Sequence, residues 1–119
     1  MTALWLGEDG KQRIVHMGSG SGSTLVCVLA EDAVDFLRLL AIGYDEICWN
    51  ENFERPPNAG LRPRDQFVKP NWKYRDWVQK TFRVTIPETA AEIVIHASEM
   101  GDEKSDDLFF QWTVKNTTM

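Results

Sequence analysis

Two histidines, His16 and His96, are residues that can act as general bases near neutral pH. His16 is followed by Ser21, Ser23 and Cys27, whose hydroxyl and thiol groups become nucleophiles once a base removes their proton. This set would suit a small hydrolase, provided that base and nucleophile meet within hydrogen-bond reach in one cleft. The spacing does not bring them together, and no nucleophile-elbow motif is present. We therefore predict no catalytic residues, with a hydrolase using His16 and a Ser or Cys nucleophile as the alternative.

A glycine-serine segment at residues 18–22 could be compared with loops that bind phosphate through backbone N–H groups. It lacks the Lys-Ser/Thr ending of nucleotide-binding loops, and the dinucleotide pattern fails because its last position is Ser23. An apolar run rich in β-branched residues follows, so no helix N-terminus faces the segment. We predict a turn between paired strands, and no cofactor.

Metal-ligand patterns are missing from the sequence. The acidic pairs at residues 45–46 and 106–107 lack further ligands at metal-binding spacing, and Cys27 and Cys48 are not spaced as zinc ligands. We predict no metal site and two buried, reduced thiols, because free cysteine packs as a small hydrophobe. No leader or membrane-spanning run is evident, so we expect a cytoplasmic protein without membrane association.

The net charge of −5 is opposite in sign to that of a nucleic-acid binder, which needs a basic surface. Basic and aromatic residues alternate around residues 69–80, a pattern that can bind single strands. Their spacing also fits an amphipathic helix with a basic outer face, and we predict no nucleic-acid partner. An acidic domain can instead attract a basic protein. The five tryptophans could anchor a core or an interface.

The strands that would hold these residues flank the glycine-serine segment. Residues 12–17 and 23–29 are rich in β-formers, which predicts a β-hairpin preceded by a turn at Asp9-Gly10. Residues 25–29 are apolar without alternation, so we expect this strand to be covered on both faces.

Helical spacing and capping residues predict the remaining elements. The first helix begins after Asp32 and ends at Gly43, and the second begins after Asn71. A capping box at residues 89–92 predicts a helix that continues to Ala97, with a strand over 93–97 as the alternative.

Residues 108–114 fit a helix and a strand equally well. The 119 residues are thus expected to form one α+β domain (1–119), with a small antiparallel sheet built on the glycine-rich hairpin and packed against three or four helices.

Residues 16–25 (HMGSGSGSTL) and 35–44 (DFLRLLAIGY) resemble the SUKH superfamily, which includes fungal cell-wall synthesis regulators and bacterial immunity proteins. Members share a glycine-bearing hairpin before a strand and a later Phe-Leu helix, and the resemblance covers about residues 5–50. The Leu-Pro entry motif that usually precedes the hairpin in the family is absent. The resemblance implies a non-enzymatic binding domain, an immunity protein that neutralises a cognate toxin of the nuclease type by direct binding.

A proline-rich stretch at residues 54–70 predicts a long loop, and loops on a rigid body commonly carry recognition. We predict a partner surface around residues 52–64 and at exposed tryptophans. Its residues are Trp49, Asn52, Phe53, Glu54, Arg55, Arg62 and Arg64. A homo-oligomeric structural or regulatory protein is a further alternative, in which a homodimer covers an open face of the sheet.

Overall fold

A computed structural model describes residues 1–20, 23–44, 53–59, 69–102 and 104–117. Within them the protein has one three-stranded antiparallel sheet and three α-helices, which confirms the predicted α+β class. The strands, in the spatial order β1-β2-β3, are β1 (Thr2–Leu6), β2 (Gln12–Met17) and β3 (Val26–Ala30). The helices are α1 (Ala33–Ile42), α2 (Trp72–Phe82) and α3 (Leu108–Thr117). None of the described helices is long and apolar enough to cross a membrane.

Strand β1 was not anticipated from the sequence. It pairs with β2 around the predicted Asp9-Gly10 turn, with Leu4 opposite Ile14 and Gly10 at a φ of 80°. Leu4 and Leu6 are exposed although they are apolar, so the strand lacks the alternation of apolar and polar residues that marks a half-buried strand. Its pairing partner, and not its own pattern, makes this segment a strand.

Strands β2 and β3 pair antiparallel on either side of the glycine-serine segment, with His16 opposite Cys27. The Gly18 N–H donates to Leu25 O at 2.8 Å. A Cβ at Gly18 would lie 2.4 Å from Ser23 O, so this position requires glycine. Residues 21 and 22, at the middle of the predicted turn, lie outside the described residues.

Each face of the sheet is packed by different elements. On one face Leu25, Cys27 and Leu29 belong to the larger core, together with Leu39 of α1 and Phe53. On the other face, strand residues pack against Phe109, Phe110 and Trp112 of α3. β3 is therefore buried on both sides, as its unbroken apolar run predicted.

Helix α1 begins and ends, and helix α2 begins, as their capping residues predicted. Asp32 accepts the Asp35 N–H at 2.8 Å, Gly43 ends α1 at a φ of 102°, and Asn71 accepts the Tyr74 N–H at 3.0 Å. The two helices pack together, and the Arg75 guanidinium of α2 donates to Ala41 O at the C-terminus of α1. The last carbonyls of a helix have no hydrogen-bond partner within that helix, so Arg75 stabilises the end of α1.

The helix predicted through Ala97 is wrong in length, and the alternative strand over 93–97 is absent too. The capping box between Thr89 and Glu92 is present, but it starts only a 3₁₀ turn, Ala90–Glu92. The chain then leaves the helical path to cover the edge of β3, where Val26 N–H donates to Ser98 O at 2.8 Å and Met100 N–H to Thr24 O at 2.7 Å. Long-range pairing with this edge overrides the local helical signal.

The final element, undecided from the sequence, is a helix. Asp107 precedes it and is almost fully buried, with its carboxylate accepting the Phe110 N–H at 2.9 Å. The other carboxylate oxygen accepts the Val28 N–H of β3, also at 2.9 Å. One side chain thus caps α3 and attaches it to the outer edge of the sheet.

A buried guanidinium joins the β1–β2 turn to the end of β3. Arg13 is buried, and it donates to the Asp9 carboxylate at 2.7 and 3.1 Å and to Glu31 Oε2 at 2.8 Å. The hydrogen bonds from Arg13 and from the Lys11 N–H lower the pKa of Asp9 to about 2.

This lowered pKa predicts a pH dependence of stability. Because the ordinary value is 3.8, the Asp9 contribution to the free energy of unfolding is complete above that pH and is lost as the pH falls toward about 2. In urea titrations between neutral pH and pH 2, wild type should be more stable than Asp9→Asn at neutral pH, with the difference shrinking over that window. A difference that does not change with pH would contradict the assignment.

Candidate functional site

His16 and Ser23, the base and nucleophile of the hydrolase alternative, do lie together. The His16 Nε2 is 3.2 Å from the Ser23 Oγ, and His16 Nδ1 is 3.5 Å from the Thr2 Oγ1. Both members are only 7% exposed, and burial, followed by the charge of the Met1 ammonium, lowers the pKa of His16. A substrate needs access to the hydroxyl, and these two side chains are buried. Their contact joins β2 to the residues just before β3 and gives no support to hydrolysis.

The cysteine prediction is confirmed for Cys27. Its thiol is free and fully buried, and burial raises its pKa to about 12. A thiol that stays protonated at neutral pH is a poor nucleophile. Cys48 lies outside the described residues. Among the residues that the structure describes, no group of three or more His, Cys, Asp or Glu side chains could hold a metal ion.

A groove of about 860 Å³ lies between residues 53–54 and the segment that covers the edge of β3. Its apolar wall includes Ala91, Val94 and Ile95, and Ile95 leaves 69% of its surface exposed. Ser98 and Ser105 line the polar part, and their hydroxyls are hydrogen-bonded to each other. The groove is thus a partly apolar, open depression of the kind that admits a peptide segment or long side chains.

Negative charge dominates the described rim of this groove. Glu54, Asp102 and Asp106 line it and are exposed, whereas Lys104 is the only lysine or arginine among its described lining residues. Asp102 also accepts the Glu99 N–H at 2.9 Å, which holds the turn in place. The rim favours cationic groups, since several carboxylates on one concave surface create a negative potential there.

Of the seven residues predicted to bind a partner, the structure describes three. Glu54 lies on the rim of the groove, and Arg55 is exposed beside it. Phe53 is only 1% exposed and belongs to the larger core, so it supports the groove from beneath. The remaining four, outside the described residues, are Trp49, Asn52, Arg62 and Arg64.

Sequence reasoning missed the other half of the groove. Ile95, Asp102 and Asp106 come from a stretch about forty residues beyond Glu54, and only the fold brings the two together. The acidic character of residues 99–107 was visible in the sequence, but the pair at 106–107 was considered only as a possible metal site. The available signal was an isoleucine, Ile95, shortly before this acidic stretch.

A second surface, on α2, carries exposed aromatic side chains. Trp72 and Trp77 are exposed, with Arg75 5.2 Å from the Trp72 ring centroid and Tyr74 stacked on Trp77. Exposed tryptophans are common anchors of protein interfaces. Lys73 and Lys80 are also exposed there, which agrees with the predicted basic outer face of the helix.

The groove and the α2 surface therefore differ in charge, and each could meet a different kind of partner. In the part of the chain that the structure describes, only the groove joins residues predicted to bind a partner to a concave shape. Searches against family models, curated proteins and solved structures found no match to this chain.

Proposed function

We propose that this chain is a non-enzymatic protein-binding domain of the immunity type, which inhibits a basic protein partner by receiving one of its cationic segments in the acidic groove. The observation that carries the proposal is the rim, where three carboxylates, those of Glu54, Asp102 and Asp106, stand against one lysine, Lys104, among the described lining residues. Complementary charge of this kind raises the association rate and selects against acidic partners. The resemblance to the SUKH superfamily points to the same class of function.

Apolar surface in the groove supports a protein partner over a free ion. Ile95 is exposed next to buried Val94, so a bound segment could cover the isoleucine while its cations meet the rim. Burying apolar area contributes affinity, and the charges contribute specificity. A cytoplasmic site of action is part of the proposal and fits the free Cys27 thiol.

Charge reversal at the rim tests this proposal. Among the described residues, no hydrogen bond or ion pair involves the carboxylates of Glu54 and Asp106, so Glu54→Lys and Asp106→Lys should leave stability unchanged. We expect each to weaken binding of a basic partner by about tenfold, equivalent to about 1.4 kcal/mol, mainly through slower association. Lys104→Glu should strengthen binding, because it adds negative charge to the same rim.

The measurement is capture of partner from the native host with tagged variants, followed by surface plasmon resonance with the purified partner. Glu8→Lys is the matched control: Glu8 is an exposed acid in the β1–β2 turn, outside the groove, and its pair with Lys115 is also exposed. An equimolar amount of the domain should also abolish the partner's activity. A partner retained equally by the groove variants and the control, or one that is bound without inhibition, would contradict the proposal.

A further inference from the structure

The outer edge of β1 presents unpaired backbone groups. Met1 and Met17 exchange hydrogen bonds of 2.8 Å, and Gly7 N–H donates to Lys11 O at 2.9 Å. Because bonded and non-bonded pairs alternate in an antiparallel ladder, the odd-numbered residues of β1 bond to β2. The N–H and C=O groups of Thr2, Leu4 and Leu6 therefore point away from the sheet. Within the described part of the chain, these groups have no hydrogen-bond partner.

The opposite edge of the sheet, formed by β3, is covered by other segments of the chain. Residues 98–100 and the Asp107 carboxylate cover this edge: the Val26 N–H donates to Ser98 O, the Thr24 O accepts the Met100 N–H, and the Val28 N–H donates to Asp107. Natural sheets protect free edges with charged residues, proline, bulges or covering segments. Residues 2–6 (TALWL) contain neither charge nor proline, and the β1–β2 register is regular, whereas β2 and β3 have a register shift.

Apolar side chains accompany this free edge. Leu4 is 66% and Leu6 69% exposed, and both project from the same face of the sheet because residues two apart share a face. Trp5 projects from the other face, where it packs edge-on against Phe109 at 5.4 Å between ring centroids. The strand is thus held on one face and carries two uncovered leucines on the other.

We propose that a second copy of this chain pairs its β1 antiparallel with this edge, about a two-fold axis at Leu4, so that the two sheets join into one. The edge is self-complementary: with Leu4 opposite Leu4 of the other copy, Thr2 lies opposite Leu6, and every outward donor meets an acceptor. Each copy carries a net charge of −5, yet the uncharged residues 2–6 bring no like charges into contact. The leucines of both copies fall on one face and bury each other.

In this register each outward residue of β1 has a hydrogen-bonding partner on the other copy. A shift by two residues in either direction would leave one outward residue of each strand without a partner, and a shift by one would set bonded residues against non-bonded ones. A single strand pair buries less than the roughly 1,200 Å² of a standard interface, so we expect a dissociation constant in the micromolar range.

Analytical ultracentrifugation over about 10–500 µM tests the dimer. The mean mass should rise from 13.7 kDa toward twice that value. Leu4→Lys should raise the dissociation constant at least tenfold by placing two ammonium groups side by side at the axis. Leu40→Lys is the matched control, because Leu40 is another exposed leucine but lies on α1. Thermal melts establish that both variants fold.

Cysteine cross-linking tests the register independently. Directly opposite Cα atoms of a bonded pair lie about 5.5 Å apart, within disulfide reach, so Leu4→Cys should form a disulfide-linked dimer under mild oxidation. Thr2→Cys alone should not, since its counterpart is four residues along the strand, but Thr2→Cys mixed with Leu6→Cys should. A wild-type chain that stays monomeric over the whole range, or a dimer insensitive to Leu4→Lys, would overturn the proposal. If the wild-type chain stayed monomeric, the binding partner of this edge would be a strand from a different protein.

Discussion

Replacing Phe53 with alanine should lower the free energy of unfolding by about 3–5 kcal/mol. The side chain is 1% exposed and belongs to the larger core, with its ring centroid 6.4 Å from that of Tyr44. Its removal leaves a cavity that the surrounding residues cannot fill, because the Phe53 backbone is also held: Phe53 O accepts the Ala91 N–H at 2.8 Å. Urea unfolding followed by tryptophan fluorescence measures the loss.

Two neighbouring substitutions make the Phe53 result specific. Phe53→Leu keeps most of the buried volume and should cost less than about 1.5 kcal/mol. Glu54→Ala changes an exposed residue whose carboxylate makes no hydrogen bond or ion pair with the described residues, and it should stay within about 0.5 kcal/mol of wild type. If Phe53→Ala retained wild-type stability, the ring would not be a core residue.

The same series separates packing from recognition at adjacent positions. Phe53 was predicted from the sequence as a partner contact, yet its side chain has almost no exposed surface. We expect the folded fraction of Phe53→Leu to bind a partner as wild type does. Glu54→Lys, in contrast, should fold normally and bind weakly. We therefore expect substitutions of Phe53 to change the stability of the fold and substitutions of the adjacent Glu54 to change the affinity for a partner.

Local signals predicted those elements whose ends are decided locally. Asp32, Gly43 and Asn71 act within one helical turn of their own position, so the sequence located α1 and α2 correctly. The capping box at Thr89 was also found where it was predicted. Capping chemistry depends on neighbours three or four residues away, and a single sequence contains that information.

Elements decided by distant partners could not be predicted in this way. β1 is a strand because β2 pairs with it, and residues 93–100 leave the helical path because the edge of β3 accepts them. The His16–Ser23 contact and the groove depend on strand register and on segments far apart in sequence. The spacing of side chains along the sequence does not predict which distant groups will come into contact.

Replacing Asp107 with alanine should cost about 3 kcal/mol of unfolding free energy, through two separate losses. The first is the cap of α3, since removing an N-cap side chain typically costs about 1 kcal/mol. The second is the partly buried Val28 N–H at the edge of β3, which would lose its acceptor at a cost of about 1–3 kcal/mol. Burial raises the pKa of Asp107, although the hydrogen bonds from Phe110 and Val28 oppose that rise.

Matched variants show how much of this loss comes from the two acceptor oxygens of Asp107. Asp107→Asn keeps the shape and one acceptor oxygen, but its NH2 group would face the second N–H donor, so it should retain one of the two hydrogen bonds and lose less stability than alanine. Asp106→Ala removes the neighbouring exposed carboxylate and should stay within about 0.5 kcal/mol of wild type, measured by urea unfolding. Hydrogen exchange in Asp107→Ala should speed up at Val28 and through the first turn of α3 together. Faster exchange in α3 alone would mean that the carboxylate caps the helix without joining it to the sheet. Because Asp106 lines the acidic groove and Asp107 anchors α3, adjacent carboxylates should again divide between recognition and stability.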